Sequence, residues 1–201
     1  MKQSLFTILR DKKTSTAAFR DATHRMTHIL AVEAFAYIKE ENVSVVTPLQ
    51  KKTKGKVLAQ PVVLLPILRS GLAFLPVFLT YFQDAVVGFI GLKRDEDTAM
   101  AEEYYRNIPK IRSNSMVIIL DPMIATGGSA VDTIAALKQG GVKEKQMLFV
   151  SLIAATKGIA RIRSVYPHVT VIVGAEDARL NKDKFIVPGL GDFGDRYFKT
   201  E

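Results

Sequence analysis

Short, largely apolar runs recur along this chain: Val62–Leu65, Ala85–Gly91, Met116–Leu120, Met147–Leu152 and Val169–Val173. A continuous run bounded by turn residues reads as a strand buried on both faces, as parallel sheets require. Between the runs lie stretches that predict helices: Leu72 to Phe82, a segment with Ala130, Val131, Ile134, Ala135 and Leu137 as its apolar face, and Lys157 to Val165. Gly140-Gly141 stops the second of these as C-cap glycines do. Strand and helix alternate from Val62 to Val173, which predicts an α/β fold built on a doubly wound parallel sheet. No second domain's worth of sequence remains, so residues 1–201 are expected to form one domain.

Upstream the pattern changes. Leu9 to Thr16 is polar and ends in good N-cap residues. Phe19, Met26, Leu30, Ala34 and Ile38 then recur at helical spacing, predicting a long amphipathic helix that ends near Glu41-Asn42. Val43–Val46 and the segment through Gly55 predict one or two short strands.

Composition narrows the class. Hydrophobic content of 48% and charged content of 24% suit a globular protein. The absence of cysteine removes disulfides and thiolate zinc sites and fits a reducing compartment. No run approaches the ~20 apolar residues of a membrane span, and Met1-Lys2-Gln3-Ser4 leads into no apolar signal core. A cytoplasmic, membrane-free protein is expected. The net charge of +8 admits two partners, nucleic acid or a substrate rich in phosphate. Basic residues cluster locally only at Lys51-Lys52-Thr53-Lys54-Gly55-Lys56, which reads as a solvated loop. No RNP-like aromatic string accompanies it, which counts against RNA.

Candidate chemistry gathers at run ends. Met116–Leu120 stops at Asp121-Pro122-Met123-Ile124, followed by Ala125-Thr126-Gly127-Gly128-Ser129 and a helix. Glycines before a helix start expose backbone N–H groups to an anion, and the helix dipole adds to the attraction. The turn therefore reads as a monophosphate cradle, with Asp121 where open α/β sheets bind ligands. It lacks the lysine and glycine spacing of a Walker A loop. Val62–Leu65 is followed by Pro66-Ile67-Leu68-Arg69-Ser70-Gly71 in the same way: arginine forks onto phosphate oxygens, and the small residues admit the backbone. His24 and His28 are four apart, but no third ligand is in sight for a metal. Near the end, Pro188-Gly189-Leu190-Gly191-Asp192-Phe193-Gly194 exposes backbone able to hydrogen-bond a small planar molecule.

These strings carry a resemblance. Asp121-Pro122 through Ser129 resembles the phosphoribosyl-diphosphate (PRPP) motif of type I phosphoribosyltransferases, in the version of the uracil phosphoribosyltransferases. Thr14-Ser15 with Phe19-Arg20 resembles that family's opening helix. Pro66 to Leu72 resembles its pyrophosphate loop Pro-Ile-Leu-Arg-Ala-Gly-Leu, with Ser70 for alanine and, in the relatives, a non-proline cis peptide. Arg94-Asp95-Glu96-x-Thr98 resembles the opening of its mobile β-arm, although Ala99 to Glu103 lacks the usual proline. Phe185 to Arg196 resembles its uracil loop Tyr-Ile-Val-Pro-Gly-Leu-Gly-Asp-Ala-Gly-Asp-Arg, with phenylalanine at 185 and 193.

The resemblance implies a type I phosphoribosyltransferase fold with a small hood and a flexible arm, making UMP and diphosphate from uracil and PRPP with Mg2+. It implies catalytic roles for Asp121 (ribose hydroxyls) and for Arg69 and Arg94 (diphosphate). PRPP would also meet Ser70, Gly71, Pro122, Met123, Ala125, Thr126, Gly127, Gly128, Ser129 and Asp192, and Asp192 is the one candidate metal ligand. Uracil would meet Ile186, Val187, Gly191, Asp192 and Phe193. A homodimer or homotetramer is implied as well. Two alternatives stay open: altered base preference, since Phe193 puts a bulky ring in the presumed pocket, and a regulatory RNA-binding homologue.

Overall fold

In the computed structural model, residues 1–94 and 101–200 are described. The chain opens with two helices, α1 (Lys2–Arg10) and α2 (Thr16–Phe35), and a hairpin of β1 (Glu40–Val46) and β2 (Lys52–Leu58). β3 (Val62–Leu68), a 3-10 turn at Ser70–Ala73, α3 (Leu75–Tyr81), β4 (Val86–Val87), β5 (Phe89–Arg94) and β6 (Ala101–Asn107) follow. Next come β7 (Met116–Leu120), β8 (Met123–Ile124), α4 (Gly128–Gln139), a 3-10 turn at Glu144–Gln146, β9 (Met147–Ala155), α5 (Thr156–Val165) and β10 (Thr170–Asp177). The small pair β11 (Arg179–Leu180) and β12 (Ile186–Val187) and the short helix α6 (Phe193–Phe198) complete it.

The central sheet runs β10-β9-β7-β3-β5-β6, parallel except for β6, with β4 beside β3 and β8 beside β9. From β3 the chain adds β5 on one side, then crosses to add β7, β9 and β10 on the other. The order therefore reverses between β3 and β7, and open α/β sheets bind ligands at the carboxyl ends of strands flanking such a reversal.

Alternating side chains explain why the strands read as unbroken apolar runs. Val63, Leu65 and Ile67, with Val117, Ile119 and Phe149, pack with Ile134 and Leu137 of α4 and Ile159 and Ile162 of α5. Leu64, Ile118, Leu120, Leu148 and Val150 face the other way, onto α1, α2 and α3. Each such side chain taken fully out of water contributes roughly 1.5–3 kcal/mol. α4 buries Thr133, Ile134, Ala136 and Leu137, so the sheet-facing positions include Ala136 and not the expected Ala135. Gly140 caps its C-terminus, and Gly141 turns away at φ +86°.

Four expectations need correction. Ahead of the polar Leu9–Thr16 stretch the sequence pattern places no element, yet Lys2–Arg10 forms α1, anchored by Leu5, Phe6 and Leu9. The long helix stops at Phe35 instead of near Glu41, because Glu40–Val46 pairs antiparallel with Lys52–Leu58. Ile38 still reaches the core at 5% exposure, and that extended the helical spacing past the real end. The lysine cluster at 51–56 lies mostly on strand β2 and not in a loop, with exposed side chains and an ion pair from Lys56 to Glu40 at 3.1 Å. The helix after β3 also begins later than expected, behind the Ser70–Ala73 turn.

The C-terminal segment leaves β10 at its carboxyl end and packs over the same end of the molecule. There β12 meets β9, and α6 meets both α2 and the Ser70–Ala73 turn. Asp95–Thr98, the sequence assigned to the mobile arm, lies outside the described residues.

Candidate functional site

β3 and β7 end side by side, with Pro66 opposite Leu120. The chain leaving β3 passes through a cis Leu68–Arg69 peptide into the 3-10 turn. There Gly71 presses against β7: a Cβ on it would lie 2.3 Å from the Leu120 carbonyl oxygen. No larger residue fits. Ser70 and Gly71 are thereby brought against Asp121, while Arg69 stays exposed beside them.

Asp121 follows the last residue of β7 and is 9% exposed. Its N–H reaches the Val150 carbonyl at 3.2 Å, which ties it to the sheet. Burial raises its pKa to about 7, against the Met123 backbone N–H and the Ser70 hydroxyl, which both favour the ionised form. The Ser70 hydroxyl thus supplies a donor to the central carboxylate. Pro122 turns the chain, and its carbonyl accepts from Leu152 and Ile153, each at 3.0 Å. Met123 then pairs with β9.

The turn behind Asp121 is built by close approach. Gly127 adopts φ +76°, ψ +5° as the N-cap of α4, and its carbonyl accepts the helix's first bond from Val131 at 3.0 Å. The Thr126 hydroxyl accepts from the Gly128 N–H at 3.4 Å. Ala125, Thr126, Gly128 and Ser129 are half-buried at the N-terminus of this 12-residue helix, where unpaired N–H groups and the dipole favour an anion. Two contributors were not visible as site residues in the sequence. Gly158 of α5 sits against the turn, and the Arg161 guanidinium lies 3.7 Å from where a Cβ on Gly128 would be. A glycine inside a helix costs stability, and that was the available signal for Gly158.

The C-terminal loop is the third part. Ile186 is buried and Val187 half-buried in β12, and the Val187–Pro188 bond is cis. Gly189 and Gly191 take φ +61° and +82°. Asp192 is exposed and caps α6, accepting from the Asp195 N–H at 3.0 Å. Phe193 is 1% exposed, its ring centroid 5.6 Å from Phe19 and 5.4 Å from Tyr197. The ring fills core volume against α2, which removes the observation behind an altered base preference.

Asp121, Ser70, Gly71 and the Ala125–Ser129 turn therefore share the carboxyl edge of the sheet, and α6 brings the C-terminal loop to the Ser70–Ala73 turn. Arg94 ends β5, and its side chain lies outside the described residues. His28 is occupied by the Tyr81 hydroxyl at 3.1 Å. Among the described residues no three His, Cys, Asp or Glu side chains group to hold a metal ion. No helix among them is long and apolar enough to cross a membrane.

Known proteins resemble this chain over nearly its whole length. The family model described as uracil phosphoribosyltransferase matches residues 1–200. The uracil phosphoribosyltransferase of Campylobacter curvus is 44% identical over 193 residues, 96% of this chain and 91% of the relative. The structure of the AQ2163 protein from Aquifex aeolicus superposes with a TM-score of 0.90 at 34% identity, covering 100% of this chain and 95% of that one. A hypoxanthine phosphoribosyltransferase from Staphylococcus aureus shares the fold alone, with a TM-score of 0.53 at 12% identity over 80% of this chain and 76% of its own.

Proposed function

The chain belongs to the uracil phosphoribosyltransferase family, and on that footing we propose that it forms UMP and diphosphate from uracil and PRPP, a step of pyrimidine salvage. Asp121 carries the reading. A carboxylate buried at the sheet's reversal, between an arginine-bearing turn and a helix N-terminus, suits a ribose with phosphate groups on either side.

In this mechanism the C1′–oxygen bond to diphosphate breaks as the bond from uracil N1 to C1′ forms, with loss of the N1 proton. Positive charge builds on the ribose and negative charge on the leaving group. No covalent nucleophile is needed, so catalysis comes from alignment and electrostatic stabilisation. Arg69, with Arg94 from the end of β5, stabilises the diphosphate. Asp121 accepts from the ribose hydroxyls, and its negative charge favours the cationic ribose. The Ala125–Ser129 turn holds the 5′-phosphate. Ile186, Val187, Gly191 and Phe193 offer backbone groups to uracil, which requires donors for its carbonyls and an acceptor for N3–H.

Mg2+ belongs to the proposal as a companion of PRPP. It takes most of its ligands from phosphates and water in such sites. Asp192 is the side chain proposed to help hold it. When bound it would supply neutralisation of charge on the diphosphate.

The test is turnover. The protein incubated with PRPP, Mg2+ and labelled uracil should yield labelled UMP, and its Asp121→Asn variant should yield far less. Absence of UMP from the parent protein would overturn the reading.

A further inference from the structure

We propose that Arg10 and Asp177 are positioning residues that clamp the C-terminal loop in its base-binding shape, an inference that rests on the assignment of that loop to uracil. Asp177 ends β10 and is 7% exposed. Its Oδ1 accepts from Arg10 Nη2 at 2.8 Å and its Oδ2 from Arg10 Nη1 at 2.7 Å, a bidentate pair. The same Oδ2 accepts the Gly189 N–H at 2.8 Å, and Arg10 Nη1 also donates to the Gly189 carbonyl at 2.8 Å. One ion pair thus engages both backbone polar groups of one loop residue.

Gly189 is the tightest point of the loop. At φ +61°, a Cβ on it would lie 2.0 Å from the Ile186 carbonyl oxygen. The residues just before and after it, Val187 and Gly191 to Phe193, are those proposed to face the base. Holding the N–H and the C=O of Gly189 together fixes the direction in which the chain leaves in both senses.

A second arginine closes the arrangement from the other side. Arg196 of α6 donates to the carbonyls of Leu190 at 2.6 Å and Asp11 at 2.8 Å, and also to that of Leu9. Its guanidinium stacks 4.2 Å above the Phe19 ring. The end of α1 is therefore gripped by an arginine from the loop's helix, while the loop is gripped by an arginine from α1. Charge-assisted, bidentate contacts have the directionality such a task requires. A well-packed apolar pair could match a buried ion pair in stability, but it could not orient the backbone of Gly189.

Neither Arg10 nor Asp177 is assigned to a substrate, so the clamp should show itself as a split between the two substrates. Arg10→Ala and Asp177→Asn should raise KM for uracil by roughly tenfold or more, with KM for PRPP nearly unchanged, and Arg10→Lys should recover part of the loss. Lys2→Ala breaks another ion pair of α1, Lys2–Glu33 at 2.6 Å, and should leave both KM values alone. Should Arg10→Ala not yield folded protein, Arg10→Lys and Asp177→Asn carry the same comparison. Parallel shifts in both KM values, or none, would overturn the proposal. Gly191→Ala separates the two levels of inference. If it moves KM for uracil while the clamp variants do not, only the clamp is wrong. If it does not, the loop is not the base site and the clamp falls with it.

Discussion

Gly127 and Gly158 face each other across the turn behind Asp121: a Cβ on Gly127 would lie 2.7 Å from the Gly158 carbonyl oxygen, and one on Gly158 would lie 2.5 Å from that of Ala125. The proposed phosphate turn is thus seated on α5 by backbone contact. Gly158→Ala should push the turn outward. Overpacking of this kind costs about 1–3 kcal/mol in stability, and KM for PRPP should rise about tenfold or more, with KM for uracil little changed. Steady-state kinetics with each substrate varied in turn checks this. An unaltered KM for PRPP would remove the turn from the phosphate site.

Asp121 links stability to pH in an unusual direction. With its pKa raised to about 7 by burial, the folded chain holds a proton between pH ~4 and ~7 that the unfolded chain has lost. Its contribution to stability is full below about pH 4 and is lost as pH rises through about 7. Asp121→Asn is neutral throughout, so its urea midpoint at pH 8 should equal or exceed that of the parent protein. Its turnover should fall at least tenfold, because hydrogen bonds to a charged acceptor are worth roughly 1.5–3 kcal/mol. The parent's kcat/KM for PRPP should decline as pH drops below about 7. Asp121→Asn should lack the part of that decline not due to PRPP itself. A variant that is both active and destabilised would contradict the assignment.

Arg69→Ala should weaken PRPP and diphosphate far more than uracil. The side chain is exposed at the end of β3, so little folding stability depends on it, and surface substitutions of this kind stay within about 0.5 kcal/mol. Calorimetric titration with PRPP and Mg2+ should give a Kd at least about tenfold higher. An unchanged Kd would mean that this arginine does not reach the diphosphate.

Phe193→Ala should act on stability before it acts on the base. The ring is buried between Phe19 and Tyr197, and removing a buried phenylalanine ring costs about 3–5 kcal/mol. Assayed well below its melting temperature, the variant should keep kcat/KM for uracil within about tenfold, or ~1.4 kcal/mol, of the parent value. A gain of about a hundredfold would show that the ring obstructs the base.

Much of this architecture was legible along the chain, for a physical reason. Strands covered on both faces are apolar at nearly every position, so β3, β7 and β9 stand out as apolar runs, interrupted only by Ser151 of β9. Anion turns need glycine and a following helix, which made Ala125–Ser129 visible. What stayed hidden depended on partners distant in sequence. α1 buries only Leu5, Phe6 and Leu9, too few to set a period. The end of α2 was decided by hairpin pairing, with Ile38 still facing the core. The Arg10–Asp177 pair spans 167 residues, and neither residue type signals the other. Phe193 looked like an intruder in a pocket because its alternative, a place beside Phe19 of α2, exists only once the chain has folded.

The central claim is that this site joins uracil, and not another base, to the ribose of PRPP. Its most direct test is a single competition assay with PRPP, Mg2+ and an equimolar mixture of uracil, cytosine, hypoxanthine and adenine, with nucleotides and diphosphate quantified together. UMP should be the dominant nucleotide, formed one-for-one with diphosphate. A purine or cytosine nucleotide as the main product, or diphosphate released without UMP, would contradict it.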